Sequence, residues 1–425
     1  MSLARGRAGA VVRAGLVTGV LLASACATPP PPPPPPPPPA PAPAPAPPPL
    51  PERPPAPRSD STFEQGIAFA VDDLFIQLQR LPAFAPRAPG TAPARRSVIV
   101  VDTIIDAATG QQTQATQLVE RQVYARTREK FQQFEVLAAT AESVARAEHV
   151  VTATMTPLKD ERGVYRLAMA MVELRGALVV AQAAARIRDD SVDVTPTPFY
   201  RDSPAVAKDR VIEGQIRTSE TAADRPADTV YIERLPTNAL MNEGLTAFNN
   251  GAYAEALPYY EEAAKRVDGQ QLRVYNGLYM IYWNLGRADD AAAAFGKIAA
   301  IGLATNNLAV KFLFRPGSTE FWADSKISGP YPIWLRQLAR QVATARACLR
   351  VIGHTSRTGS EQINERLSVR RAEVIKQRLL SEARDPSMRI ETAGVGSREN
   401  LIGSGTDDQR DALDRRVEFR VVQCP

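Results

Sequence analysis

The feature that most constrains this chain is an unbroken run of proline over residues 29–39, continued by Pro-Ala alternation to Pro47. Proline fixes φ and removes the backbone donor, so the run offers nothing to a helix or a sheet and stays an extended polyproline II rod. It divides the chain into a short leading segment and a long folded remainder. Of 37 prolines, 21 fall within residues 29–57, so proline richness belongs to the rod and does not argue against a globular fold after it. At about 3.1 Å per residue, roughly 30 residues reach on the order of 90 Å. A stiff spacer over 26–60 is the expectation, with a docking peptide for a proline-binding domain as the alternative.

Ahead of the rod, Arg5, Arg7 and Arg13 precede an apolar stretch of small residues over 14–25, and Cys26 follows. The stretch is too short to span a bilayer comfortably and reads as a secretion signal over 1–25. Leu22-Ala23-Ser24-Ala25-Cys26 resembles a bacterial lipobox, with Ala23 standing where leucine is usual. The resemblance implies lipidation of Cys26, palmitate included, and an anchor in which each buried CH₂ contributes about 0.8 kcal/mol. A plain secretion signal containing a cysteine is the alternative. Ala27 stands where, in lipoproteins, an aspartate favours the inner membrane, so the resemblance implies the cell outer membrane, with the protein facing the periplasm. Two cysteines remain, Cys348 and Cys424, an even pair in an oxidising compartment. They flank predicted strands at 349–353 and 417–422. A disulfide follows if those strands are antiparallel neighbours, and two free buried thiols follow if they are not.

The net charge of +5, from 51 basic and 46 acidic residues, is small for 425 residues and spread along them, which leaves no nucleic-acid footprint. The two histidines, His149 and His354, fall in different regions, and no metal-ligand cluster, nucleophile elbow or phosphate loop appears. Gly394-Val-Gly396 lacks a third glycine at dinucleotide-loop spacing. The expectation is a protein that is not an enzyme and takes no metal or cofactor.

Residues 61–190 read as an α/β domain. An amphipathic helix over 63–78 precedes a β-branched run over 97–105, a turn at 106–110, a helix over 114–131, and strands at 134–137, 149–155, 165–173 and 177–186. The order helix, strand, Asp-x-x-x-Asp-Ala-x-Thr-Gly-x-Gln-Thr, helix, strand resembles the penicillin-binding-protein activator LpoB and the CsgG-like group of outer-membrane lipoproteins. A linker is expected over 191–235. Within 236–305 two helix–glycine–helix units repeat at an offset of 35 residues, around Gly251 and Gly286. They resemble tetratricopeptide (TPR) repeats, whose unit is about 34 residues. A helical spacer is one reading and a protein-binding groove the other.

Residues 306–425 carry the most specific pattern. Strands are predicted at 310–314, 349–353, 389–392 and 416–422, with helices at 331–344 and 361–380. On the long helix, Ile363, Leu367, Val374, Ile375 and Leu379 make an apolar face, and Asn364, Ser368 and Arg371 run through it at steps of four and three. A guanidinium in that position requires a partner. The partner is either an internal acid, with Glu391, Asp414 and Glu418 as candidates, or an anionic group from outside, gripped in bidentate fashion. Val351-Ile-Gly-His-Thr-Ser-x-x-Gly359, Asn364-Glu-Arg-Leu-Ser-x-x-Arg-Arg-Ala372 and Arg415-Arg-Val-Glu418 together resemble the OmpA C-terminal-like family, which includes the Pal lipoproteins.

The resemblance implies a mixed sheet under helices that binds the diaminopimelate of peptidoglycan, with Thr355, Ser356, Asn364 and Arg371 as site residues. Arg371 matches the arginine that grips a carboxylate. Ser356 replaces the aspartate that grips an ammonium, and Leu313 and Arg315 stand where acids are frequent, which implies weakened or altered binding. The fold class expected is therefore α+β and α/β multidomain: an N-terminal α/β domain, a two-repeat helical segment and a C-terminal OmpA-like mixed sheet with helices. The function expected is a non-catalytic outer-membrane lipoprotein that tethers the envelope to peptidoglycan. The alternative is a regulatory or scaffold lipoprotein engaging a cell-wall synthase or secretion assembly, an envelope protein partner, through its N-terminal domain and helical repeats.

Overall fold

The computed structural model describes residues 49–57, 59–84, 96–158, 161–206, 208–315, 317–345, 347–383, 389–402, 405 and 410–424. The expected secretion signal, Cys26 and the proline run to residue 47 lie outside the described residues. The stretch just after the run, expected as free linker to residue 60, already docks. Arg53 forks Asp73 with two bonds of 2.7 Å, Arg80 holds the Pro51 carbonyl at 3.0 Å, and Asp60 bridges Arg186 and Arg188. The cause is Asp73, a buried carboxylate that needs a cation from outside its own helix.

That helix, α1 (Phe63–Gln79), starts at a capping box between Thr62 and Gln65 and buries Ile67, Val71, Leu74, Phe75 and Leu78. The chain continues through β1 (Ser97–Val101), β2 (Ile105–Asp106), α2 (Gln114–Lys130), β3 (Phe134–Ala138), α3 (Ala141–Arg146), β4 (His149–Pro157), β5 (Val164–Glu173) and β6 (Leu178–Arg188). β1 pairs in parallel with β3 and β4, while β4, β5 and β6 form an antiparallel meander. β1 is buried at every position, which explains its β-branched composition. The single strand expected over 97–105 is broken. Val101 lies opposite Val151 and Ile105 opposite Thr154, so one strand carries an extra residue there, a bulge. Asp102 occupies it, buried, accepting from Thr103 N, Tyr231 Oη and Asn242 Nδ2.

Residues 191–235, expected as a linker, are folded: α4 (Pro198–Asp202), β7 (Ala205–Val206), α5 (Arg210–Glu220) and β8 (Arg225–Pro226). Asp209 caps α5 through Val211 N and Ile212 N at 3.0 Å. The face that α5 buries is half polar (Gln215, Thr218, Ser219), with Ser219 bonded to Thr154 of β4 at 2.8 Å, so apolar periodicity does not reveal it. β8 extends the first sheet beside β6, and β7 joins the second sheet.

Four helices follow: α6 (Thr229–Asn249), α7 (Tyr253–Lys265), α8 (Leu272–Asn284) and α9 (Ala288–Ala304), each packed on the next. The Tyr260 ring of α7 lies where a Cβ on Gly244 or Gly277 would strike it, so these glycines set the close approach of α6 and α8. Then come β9 (Leu308–Val310), α10 (Ser325–Ser328), α11 (Tyr331–Ala345), β10 (Cys348–His354), α12 (Glu361–Ala383), β11 (Ile390–Gly396), a short 3₁₀ turn over Arg410–Leu413 and β12 (Val417–Val422). Among the described residues the second sheet runs β11-β10-β12-β9-β7, parallel between β10 and β11 and antiparallel elsewhere. The strand expected at 310–314 begins and ends earlier, because Lys311 N turns to Pro204 O and Leu313 N donates to Tyr331 Oη.

The repeat helices and the second sheet share one apolar core. Phe295 of α9 stacks on Trp334 of α11 at 5.4 Å, and Trp334 Nε1 donates to Tyr279 Oη of α8 at 2.8 Å. Every described residue lies in one compact unit, Pro47–Pro425. No helix among the described residues is long and apolar enough to cross a membrane.

Candidate functional site

β10 is the middle of the second sheet's site-bearing half, with β11 on one side and β12 on the other, and its carboxyl end runs into His354-Thr355-Ser356. α12 lies across β10 and β11 at close range. A Cβ on Gly353 or Gly394 would overlap Ser368, so glycine at both places is a packing requirement. Ser368 Oγ accepts from Gly396 N at 3.0 Å and donates to Glu365 O at 2.7 Å, welding helix to strand.

The polar line through the buried face of α12 is present: Asn364, Ser368 and Arg371 are all buried. Ile363, expected on the apolar face, is instead 54% exposed. The buried arc is centred on Arg371 and Ile375, which leaves Ile363 and Val374 on its flank. Asn364 Nδ2 donates to Thr358 O at 3.0 Å and holds the turn that carries Thr355 and Ser356. Thr355 N donates to Gly396 O at 2.9 Å, while its buried hydroxyl has no hydrogen-bond partner among the described residues. Ser356 is buried and engaged.

Arg371 is held by several partners. Among them Nε donates to Ser318 O and Nη2 to Arg315 O, both at 3.1 Å, and the guanidinium lies 4.9 Å over the Phe314 ring. The loop between β9 and α10 is thus wrapped around this cation. Two of the acids considered as its partner are occupied elsewhere. Glu391 takes Arg350 at 2.7 Å, and Glu418 takes Arg416 and Arg420. Asp414 accepts from Asn400 Nδ2, Leu401 N and Ile402 N among other contacts. Arg315, where an acid was the family expectation, is exposed and paired with Glu320 at 2.9 Å.

Behind Thr355, His354 is buried with neither ring nitrogen hydrogen-bonded among the described residues, its Nε2 lying 3.5 Å from Glu418 Oε1. Burial first, then Arg416, pushes it down to about 4, so it is neutral at ordinary pH. Cys348 and Cys424 form a disulfide, Cα–Cα 5.2 Å, on the antiparallel β10–β12 pair. Two features escaped the sequence. Lys311, apolar in context, is a buried amine that donates to Tyr200 O and Arg201 O at 3.0 Å. A cleft lined by Lys208, Arg416, Glu418 and Arg420 draws on residues more than 200 positions apart, and no local spacing announces it.

Residues 313–413 match the model of the OmpA family. Outer membrane protein A of Bordetella avium is 40% identical over 92 residues, 20% of this chain and 46% of that protein. Outer membrane protein Omp38 of Acinetobacter baumannii is 32% identical over 94 residues, 22% of this chain and 26% of that protein. The chain thus spans under half the length of these curated relatives. Among solved structures, the peptidoglycan-associated lipoprotein of Burkholderia pseudomallei is 21% identical, covers 26% of this chain and 87% of its own, and has a TM-score of 0.22. The C-terminal domain of Helicobacter pylori MotB is 16% identical, covers 27% and 84%, and has a TM-score of 0.23.

Proposed function

We propose that this chain is a non-catalytic lipoprotein of the outer membrane, anchored through Cys26, that ties the envelope to peptidoglycan through its OmpA-like region. Thr355, Ser356, Asn364 and Arg371 are the contact residues of the proposal, and a diaminopimelate carboxylate is the group that Arg371 grips. One observation carries the reading. Within the stretch that matches the OmpA family, Arg371 lies on the buried face of α12 with Asn364, in a guanidinium orientation fixed by the carbonyls of Arg315 and Ser318. A planar guanidinium fixed by its edge is preorganised for a planar carboxylate, whereas a lysine at the same place supplies charge without the fork.

Co-sedimentation of the full chain with purified peptidoglycan tests the proposal. The unaltered protein pellets with the polymer, and Arg371→Lys lowers affinity by about ten-fold, equivalent to about 1.4 kcal/mol. Circular dichroism on the same samples controls for folding, since Arg371 is buried. Binding of a folded Arg371→Lys variant at the original affinity sinks the proposal.

A further inference from the structure

We propose that the cleft between the turn after β2 and the β9–β12 pair is a binding site for a compact dicarboxylate, separate from the Arg371 site. The cleft has a volume of about 170 Å³. A cavity of about 150 Å³ takes a benzene-sized guest, so this one suits a molecule of roughly six to eight non-hydrogen atoms. Thr109 contributes from the turn, Lys208 from the segment after β7, Asn307 from the entry to β9, and Arg416, Glu418 and Arg420 from β12 and the residue before it.

The charges on these walls do not balance. Glu418 is the acid among the described lining residues, and both its oxygens are taken. Oε1 accepts from Arg416 Nε at 3.0 Å and Nη2 at 2.8 Å, and Oε2 accepts from Arg420 Nη2 at 2.7 Å. Lys208 Nζ donates to the neutral main-chain oxygens of Ala107, at 2.8 Å, and Ala108, at 3.2 Å. Three cations therefore face one carboxylate, and Arg420, with 47% of its side chain exposed, retains reach into the opening. Asp106 lies behind the same turn, but it is buried, its carboxylate is spent on Thr109 N and Oγ1, and it is not among the described residues that line the cleft. His354, next to Glu418, stays neutral beside Arg416 and adds no compensation. An excess of two positive charges in a space of this size is complementary to a small dianion. A ligand spanning Lys208 and Arg420 would clasp the turn after β2 to β12 of the second sheet, so binding stabilises the joint.

Titration of the full chain with succinate, by calorimetry and by thermal unfolding, tests this. Saturable binding and a midpoint that rises with succinate are expected, with no rise in succinamide or in sodium chloride at matched ionic strength. Lys208→Gln and Arg420→Gln each weaken succinate binding at least ten-fold, and Arg371→Lys leaves it unchanged. Equal stabilisation by chloride, the absence of saturable binding, or undiminished binding in both glutamine variants overturns the site. Loss of binding in Arg371→Lys would also contradict it, by merging the two sites into one.

Discussion

In the proposed site, Ser356 puts a hydroxyl where the family it resembles carries an aspartate, which removes a charge while leaving a hydrogen-bonding group. A charge-assisted bond contributes about 1.5–3 kcal/mol where a neutral one contributes about 0.5–1.5. Ser356→Asp is therefore expected to raise muropeptide affinity about ten-fold by isothermal calorimetry, and unchanged affinity would mean that the ligand's ammonium does not sit there. The polar line of Asn364, Ser368 and Arg371 was readable in the sequence because helical spacing alone puts steps of four and three on one face. Its partners were not. Glu418 was a candidate for Arg371, yet it bonds Arg416 two residues earlier on its own chain, a pairing favoured because alternate strand positions share a face. Lys311 was invisible for the opposite reason: it sits in an apolar run and is satisfied by main-chain oxygens that sequence cannot register.

Among the elements, the pair β10–β12 was the most readable and the polar-faced connectors the least. A cysteine at the start of one strand and another just past the end of the other required antiparallel pairing to meet, and Cys348 does lie opposite Val422. The bridge closes a loop over a sequence separation of 76. In the chain-entropy account this constrains the unfolded state by about 4.5 kcal/mol. Cys424→Ser should lower the urea-unfolding free energy by roughly that amount under oxidising conditions and by little under reducing ones. An equal loss in both would mean that the bridge does not form. α3 and α5 went unread because a six-residue helix has no periodicity to find and α5 buries threonine, serine and glutamine. The break between β1 and β2 was hidden inside a β-branched run. Only the tertiary partners of Asp102, Tyr231 and Asn242, explain why the chain bulges there.

Over the whole molecule, the connection that looked like a linker is what joins the two sheets. β7 completes the edge of the second sheet, and Lys311 of that sheet's first strand region reaches back to the carbonyls of α4. Burial pushes Lys311 down to about 7, against 10.5 in a free side chain. Between those values the unfolded chain holds a proton that the folded chain has released, so stability gains as pH rises through the window and is lost as pH falls toward 7. Lys311→Met should remove that gain: between pH 7 and pH 9 the difference in unfolding free energy should shrink by on the order of 2 kcal/mol relative to the unaltered chain. An identical pH slope in the two proteins would show that Lys311 keeps its ordinary affinity for protons. The joint also fixes the OmpA-like region to the helices before it through a single apolar core. The proposed attachment depends on what Arg371 grips. The most direct measurement is a crystal structure of the full chain with a diaminopimelate-containing muropeptide. A ligand carboxylate within hydrogen-bonding distance of the Arg371 guanidinium, beside Thr355 and Ser356, is the predicted result. A muropeptide bound elsewhere, with Arg371 contacting its own chain alone, would contradict it.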